Sequence, residues 1–547
     1  MQFRKISGFI FANLVLCLAM GSLLPTNAYA IPAFSRMYQT SCSTCHLDFP
    51  KLNDFGKAFK DAGFKFPKDD ANFMKIAPTL LGADAQKMVF PKSIWPGSIP
   101  GIPPIGLRMN NFFQWTSNSR NNFNSLAAPG TVPQVIPGTD FETGFFSIFS
   151  AGNFGGDIAF WVDDDISVAG QNSNGGLGDG YLRFVNVSRL LKLPKDSLSV
   201  RVGQFELDLP ITQARNINLS PYDIYSESNI GAISSMVSLS KNVNNLFTFA
   251  GAARGAELSG GHTNGGYHYS IAVLNQNTSG LSQTTSPYVP SATGGANGGV
   301  GFASDSTFKD LYGRFSYRFN LERDAESRNA VQAAGTNGPR DHTYLSFGGF
   351  YLRGKSQQGF NGVTNAGAST ILYAREPYYR AGGDFNFNFR TFNLFGVYMM
   401  AKDDNLLPVD ANGLLIPLPI SADSPPPVGF IKSVGSRFNG GFVEADYLVL
   451  PWIMLIGRWD GVHSSADRIN GLLLASNTPF FGPLSSTRNR YSPAIQFLIR
   501  PNVKASFEYQ FRPKQIAQVV TDPVTGAQQP INPFRTNTAL LGLEFVY

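Results

Sequence analysis

Leu541-Gly542-Leu543-Glu544-Phe545-Val546-Tyr547 ends the chain. Successive side chains of a strand point to opposite faces, so Leu541, Leu543, Phe545 and Tyr547 share one face and Gly542, Glu544 and Val546 the other. A last strand with one apolar face and a terminal aromatic is what a lipid-embedded β-barrel needs to close. Similar alternation recurs over 158–168, 181–187, 198–209, 311–320, 344–353, 378–390, 393–400, 442–449, 452–459, 491–498 and 503–512. Short turns at 390–391, 450–451 and 500–502 alternate with long polar stretches near 118–139, 276–308, 404–435, 464–488 and 515–536. Short turns on one side and long loops on the other are the pattern of an outer-membrane barrel. Counting back from Tyr547 and forward from Ile105, the long loops stay on one side except around 211–244. A separate strand at 232–240 would give an odd count, whereas leaving that stretch in a long outer loop gives about 16 strands. The expectation is a mainly β chain, a transmembrane antiparallel barrel over 104–547, with both chain ends on the periplasmic side.

Composition agrees. Only 15% of the 547 residues are charged, against about 25% in ordinary soluble proteins. The chain carries 56 Gly, 46 Phe and 20 Tyr, and no mature stretch approaches the roughly 20 apolar residues of a membrane helix. The net charge of +6 is spread without a basic block, which excludes a nucleic-acid partner on the usual signals.

Residues 1–30 read as an export signal. Arg4 and Lys5 form the basic start, 10–24 the apolar core, and Ala28-Tyr29-Ala30 the small-x-small cleavage site. Cys17 lies in that core behind Leu16, which is too large for a lipoprotein site. The mature chain is therefore expected to begin near Ile31 with two cysteines, Cys42 and Cys45.

Between the signal and the barrel lies a unit over 31–103. It carries Cys42-Ser43-Thr44-Cys45-His46. Two thiols three positions apart and an imidazole directly after them are what covalent haem attachment requires, the thiols adding to the haem vinyls and His46 ligating the iron. A zinc site would want a second ligand pair, and His262, His268, His342 and His463 are all distant in sequence. A thioredoxin-like redox pair would want a βαβ context that is missing here. The expectation is therefore one haem c, on Cys42, Cys45 and His46. Met74, Met88 and Met109 are the candidates for the opposite axial position, and the expectation falls on Met88, in the Pro-punctuated stretch, with Met74 as the alternative. Residues 51–63 read as one amphipathic helix with Leu52, Phe55, Phe59 and Ala62 on one face and Gly63 as its stop. The many prolines after Phe66 predict extended loop. One helix in about 70 residues makes a marginal core, so the unit is expected to lean on the barrel lumen and plug it.

Asp163-Asp164-Asp165 could line the lumen or bind cations, although solvated strand ends are the plainer reading. Arg201/Glu206 and Arg380/Asp384 read as lumen charges. No grouping of nucleophile, base and acid points to hydrolytic catalysis.

Several stretches together resemble the fused outer-membrane cytochrome–porins, which include the outer-membrane iron oxidases. They are Phe34-Ser35-Arg36, the run from Ser41 to His46, Phe49-Pro50-Lys51-Leu52-Asn53-Asp54-Phe55-Gly56-Lys57-Ala58-Phe59-Lys60, Pro103-Pro104-Ile105-Gly106-Leu107-Arg108, and Val202-Gly203-Gln204-Phe205-Glu206-Leu207-Asp208. The resemblance implies a haem unit seated in the barrel that takes electrons from extracellular Fe(II) and passes them to a periplasmic cytochrome, in contact with outer-membrane lipid. Cys42, Cys45 and His46 carry over as attachment and proximal ligand. The rival expectations are outward electron transfer to extracellular acceptors, and a solute porin gated by its haem unit.

Overall fold

The computed structural model describes residues 33–92, 97–101, 104–116, 139–166, 176–212, 217–226, 249, 252–275, 309–321, 343–363, 369–416, 425–465, 487–513, 519–521, 528–530 and 537–547. The export signal, Cys17 and the stretch 232–240 lie outside them, as do His342 and most of the long polar connections.

Sixteen antiparallel strands among the described residues close into one barrel, each bonded to its neighbours in chain order. They are β1 Ile105–Thr116, β2 Thr139–Phe154, β3 Ile158–Ile166, β4 Gly176–Phe184, β5 Ser199–Phe205, β6 Ala253–Gly261, β7 Gly266–Asn275 and β8 Lys309–Asn320, then β9 Tyr344–Val363, β10 Ser369–Phe389, β11 Phe392–Val409, β12 Gly429–Leu450, β13 Ile453–Ser464, β14 Thr487–Arg500, β15 Val503–Gln510 and β16 Thr538–Val546. The seam is β16 against β1, with Thr538 opposite Thr116 and Val546 opposite Arg108. Beyond the ladder the Tyr547 and Leu107 backbones exchange both hydrogen bonds, 2.7 and 2.8 Å.

The face assignment of the last strand holds. Leu543 is 48% exposed on the outer face while its neighbour Glu544, 4% exposed, points inward. Around the wall Tyr398, Met400, Leu311, Phe315, Phe347, Ile271, Val273, Leu455 and Trp459 continue the outer apolar face. The inner face is polar and buried, with Arg314, Arg380, Arg458, Arg490, Lys504 and Glu508 among its side chains. Buried charges survive only when paired, and these are: Arg314 with Asp384 at 2.6 Å, Arg380 with Asp403 at 2.6 Å, Arg458 with Asp460 at 2.9 Å. Arg201 pairs with Glu257 at 2.6 Å. Arg201, Glu206, Arg380 and Asp384 are thus the lumen charges expected of them: Arg201 also donates to the Glu206 carbonyl, while Arg380 and Asp384 pair with Asp403 and Arg314, ladder register deciding which side chains meet.

Several strands are longer than their alternation indicated. β9, β10 and β12 run for 20, 21 and 22 residues, about twice the roughly 10 that cross a bilayer. In their extensions, such as Ser356-Gln357-Gln358 of β9 and Ile371-Leu372-Tyr373 of β10, polar and apolar residues do not alternate, so no period of two marks them as strand.

The N-terminal unit holds α1 Ala33–Tyr38, a 3₁₀ turn Cys42–Thr44, a small ladder of His46–Asp48 with Lys51–Leu52, α2 Asp54–Asp61, α3 Asp70–Phe73 and α4 Ala83–Val89. The expected helix over 51–63 begins later because Lys51-Leu52 is taken up by the ladder and the Asn53 side chain caps the helix, accepting from Gly56 N at 2.8 Å. Gly63 ends it in the left-handed region at φ 79°. Two short helices occupy the stretch expected to be loop; α4 fits between Pro78 and Pro91, where no proline interrupts it. Tyr38, Phe59 and Phe64 form a buried cluster with Phe34, Met37, Phe66 and Met74, and Ala151, Ala159, Trp161 and Val185 from the barrel complete it. The unit does lean on the barrel.

A second segment enters the lumen from the opposite end. After β5 the chain turns inward, and 217–226, including α5 Asp223–Ser226, lies against the far wall. Asn218 and Tyr222 donate to Glu444 at 2.7 and 3.0 Å. Asp223 meets Arg490 at 2.8 Å and Arg512 at 3.2 Å, and Arg458 donates to the Ser220 carbonyl at 3.0 Å. Tyr222 stacks on Phe442, 3.9 Å between ring centres.

Candidate functional site

Cys42, Ser43 and Thr44 form the 3₁₀ turn, capped by the Ser41 side chain, and Cys45 N closes it onto Cys42 O at 3.1 Å. Both thiols are half-buried and carry no disulfide. Burial pushes both upward, Cys45 to about 12, so they stand as neutral thiols. Asn53, the cap of α2, donates from Nδ2 to the carbonyls of Ser43 and Thr44 at 3.3 and 3.1 Å, and its backbone N donates to Cys45 O at 3.0 Å.

His46 follows on the small ladder, and its Nδ1 is buried without a hydrogen-bond partner. Burial lowers the imidazole to about 4, so it is neutral and able to ligate. Two thiols on one turn, a neutral imidazole beside them and a neighbouring aromatic cluster suit a covalently held haem; the donor chemistry fits that group. Among the described residues no group of three or more His, Cys, Asp or Glu stands together as a metal ion would need.

The candidates for the opposite axial position separate. Met88 is 83% exposed on α4. Met74 caps α3 and packs on the aromatic cluster. Met37 packs there too, and its carbonyl accepts from Lys75 N at 2.9 Å; its place in α1, before the cysteines, gave no reason to consider it. Met109 lies on β1, where it pairs with Phe545 across the seam.

The unit is tied to the barrel end that carries the short turns. Asp54 forms a two-pronged pair with Arg318 of β8, both bonds 2.6 Å, and that guanidinium lies 3.5 Å over the Tyr344 ring. Lys51 reaches Asp446 at 2.6 Å and Asn393 at 2.9 Å. Lys504 donates to the Phe49 carbonyl at 2.7 Å, Lys65 to Gly156 O at 2.6 Å, Asn153 to Gly63 O at 3.0 Å. Asp61 accepts from Thr263 N and Oγ1 at 3.0 and 2.7 Å. Arg36 donates to Ile105 O at 2.6 Å and lies 5.9 Å from the Tyr547 ring centre. These partners lie right around the barrel mouth.

Between this unit and the inward segment a cavity of ≈ 320 Å³ remains, lined among others by Lys57, Asp61, Arg201, Asp208, His268 and Glu444. His268 Nε2 lies 2.9 Å from Asp208. Of the acidic triplet, Asp163 accepts from the Trp161 indole at 3.2 Å and from the Asp179 backbone, Asp164 is exposed, and the Asp165 side chain lies outside the described residues. Asp163 is thus engaged by protein donors.

The sequence matches no protein-family model and no curated protein. Solved structures similar to the chain include OmpT of Vibrio cholerae (7% identity, 83% of this chain and 99% of that one, TM-score 0.40). Another is an anion-selective porin from Comamonas acidovorans (10%, 81% and 98%, TM-score 0.43), and a third is Pseudomonas putida OprB (9%, 81% and 94%, TM-score 0.40). Likeness at this level carries no argument about what the barrel conducts or binds.

Proposed function

We propose that the chain is an outer-membrane electron conduit. Cys42, Cys45 and His46, at the short-turn mouth of the barrel, would hold one haem c, which would supply the one-electron couple linking extracellular Fe(II) to a periplasmic cytochrome. The short-turn end, where both the N-terminal unit and Tyr547 lie, is then periplasmic. The observation that carries the reading is the seating of the Cys42–His46 turn: it belongs to a unit whose core is finished by the barrel wall and whose charges are neutralised by barrel side chains.

Haem c, when bound, supplies a one-electron couple matched to the Fe(II)/Fe(III) step. The protein's part is to place and insulate it. Cys42 and Cys45 anchor it, His46 offers a neutral nitrogen, and the cluster of Phe34, Tyr38, Phe59 and Phe66 gives it an apolar surround. Met74 is the better-placed opposite ligand; the exposure of Met88 argues against the earlier expectation. The inward segment and the N-terminal unit together obstruct the lumen, which favours moving electrons over moving solutes.

The test is anaerobic mixing of the oxidised, haem-loaded protein with Fe(II), following haem absorbance and titrating the potential. Prompt reduction at a sufficiently positive potential supports the reading. No reduction with a negative potential would turn the conduit outward, toward extracellular acceptors. The second reading is a solute porin gated by its haem unit, favoured by the charged cavity left in the lumen; large steady single-channel currents through the loaded protein would select it.

A further inference from the structure

The three carbonyls of Ser43, Thr44 and Cys45 all end on one residue. Asn53 spends both Nδ2 hydrogens on the first two and its backbone N–H on the third, while Oδ1 accepts from Gly56 N. Capping α2 requires only the acceptor; Asp or Ser would serve as well. The amide donors are extra, and Asn alone among good caps supplies an acceptor on one atom and two donors on another. Gly56 completes the seat from below. A Cβ there would overlap the Cys45 carbonyl oxygen and come within 3.0 Å of Leu52 Cδ2, so the turn rests directly on the first turn of α2.

We propose that Asn53 and Gly56 are positioning residues that hold the Cys42–Cys45 turn in the shape needed for haem attachment; this rests on the haem reading above. In attachment each thiol S–H adds across a vinyl C=C. The sulfur bonds the carbon next to the ring, the hydrogen goes to the terminal carbon, nothing leaves, and no oxidant or reductant is consumed. Two such additions to one rigid macrocycle demand a fixed separation and direction of the two sulfurs, with His46 following in step. A turn of four residues with polar side chains does not hold such a shape alone. Three carbonyls clamped to one buried side chain and its backbone do.

The experiment uses the full chain, expressed in cells competent for covalent haem attachment. Asn53→Asp keeps the cap acceptor and removes both amide donors, and Asn53→Ser keeps the cap with one short hydroxyl in their place; Gly56→Ala intrudes on the turn. Intact mass reads the covalent adduct, the alkaline pyridine haemochrome band distinguishes one thioether from two, and heat-dependent gel mobility reads the folded barrel. The expected result is a several-fold loss of adduct, or a shift to a single thioether, in all three variants with barrel mobility unchanged. Full double attachment in Asn53→Asp and Asn53→Ser, with loss only in Asn53→Ala, would reduce the residue to a helix cap and overturn the proposal. Loss of barrel mobility together with the adduct would make it a folding determinant and overturn it equally. A wild-type chain without adduct would overturn the haem reading itself, which is a different failure.

Discussion

His46 and Asp48 are two residues apart, the first half-buried and the second buried, and are pushed in opposite senses. In the haem-free chain burial lowers His46 from 6.5 to about 4 and raises Asp48 from 3.8 to about 6. Between about 4 and 6.5 the unfolded chain holds the His46 proton and the folded one does not, so this group's contribution falls as pH drops. Between about 3.8 and 6 the folded chain holds the Asp48 proton and the unfolded one does not, so that contribution falls as pH rises. Each is worth about 1.4 kcal/mol per pH unit, and across the shared window they cancel. The haem-free unit is therefore expected to show nearly flat hydrogen-exchange protection from pH 4 to 6. Asp48→Asn removes one side of the balance, and protection should then fall on acidification; a steep slope already present in the wild type would contradict this. The axial ligand belongs to the same scale. Met74→Ala should lower the haem potential and Met88→Ala leave it unchanged, and the reverse in a redox titration would return the assignment to Met88. His46→Ala should abolish the normal haem spectrum while barrel mobility on a gel stays intact. The Cys42–His46 turn could be singled out in the sequence because covalent haem attachment, the chemistry proposed for it, fixes residue type and spacing together. The packing of Met37 and Met74 on the aromatic cluster could not, because sulfur in an apolar cluster has no spacing rule.

At the scale of elements, the Asp54–Arg318 pair joins the first residue of α2 to the wall of β8. Removing one partner of a buried pair costs up to about 3–5 kcal/mol when the other charge is left alone; Asp54 keeps Lys57 at 3.2 Å, so the cost here falls below that range. Arg318→Ala should therefore loosen the unit from the barrel and open residues 33–75 to limited proteolysis, while the exposed pair Lys432–Asp404 should be removable without effect. Equal protease resistance in Arg318→Ala would mean that the remaining contacts suffice. Which charges meet was not readable beforehand, since Arg314, Arg380, Asp384 and Asp403 all alternate correctly onto the lumen and only the ladder register sorts them. Strand existence was readable where one face meets an apolar surround. It lapsed in the extensions of β9, β10 and β12, where the sequence does not alternate with a period of two. The start of α2 shows the same limit at short range: Lys51 and Leu52 fit the helical stripe, yet ladder pairing with His46–Asp48 wins.

For the whole molecule, loop parity gave the strand count, because a closed antiparallel wall with both ends on one side admits only an even number. The inward course of 217–226 was not legible; Asn218, Ser220 and Asp223 are ordinary loop residues by composition, and their partners Glu444, Arg458, Glu508 and Arg490 lie more than 200 positions away. On the electron-conduit proposal, in which the N-terminal unit and the inward segment together fill the lumen, the haem-loaded protein should conduct poorly in a planar bilayer. Weakening the lower obstruction through Arg318→Ala should raise conductance, with the inward segment still limiting it. Equal, high conductance in both proteins would favour the solute-porin reading.

The seat of the N-terminal unit spans the seam. Arg36 touches both Ile105 and Tyr547, and Lys504, Glu544 and Arg108 form one chain of contacts from β15 across β16 to β1. The N-terminal unit therefore docks on a surface that exists only once β15, β16 and β1 are paired. A barrel opened at that seam would lose the floor on which Arg36 and Lys504 hold the unit, so the closing of the wall and the seating of the unit stand or fall together.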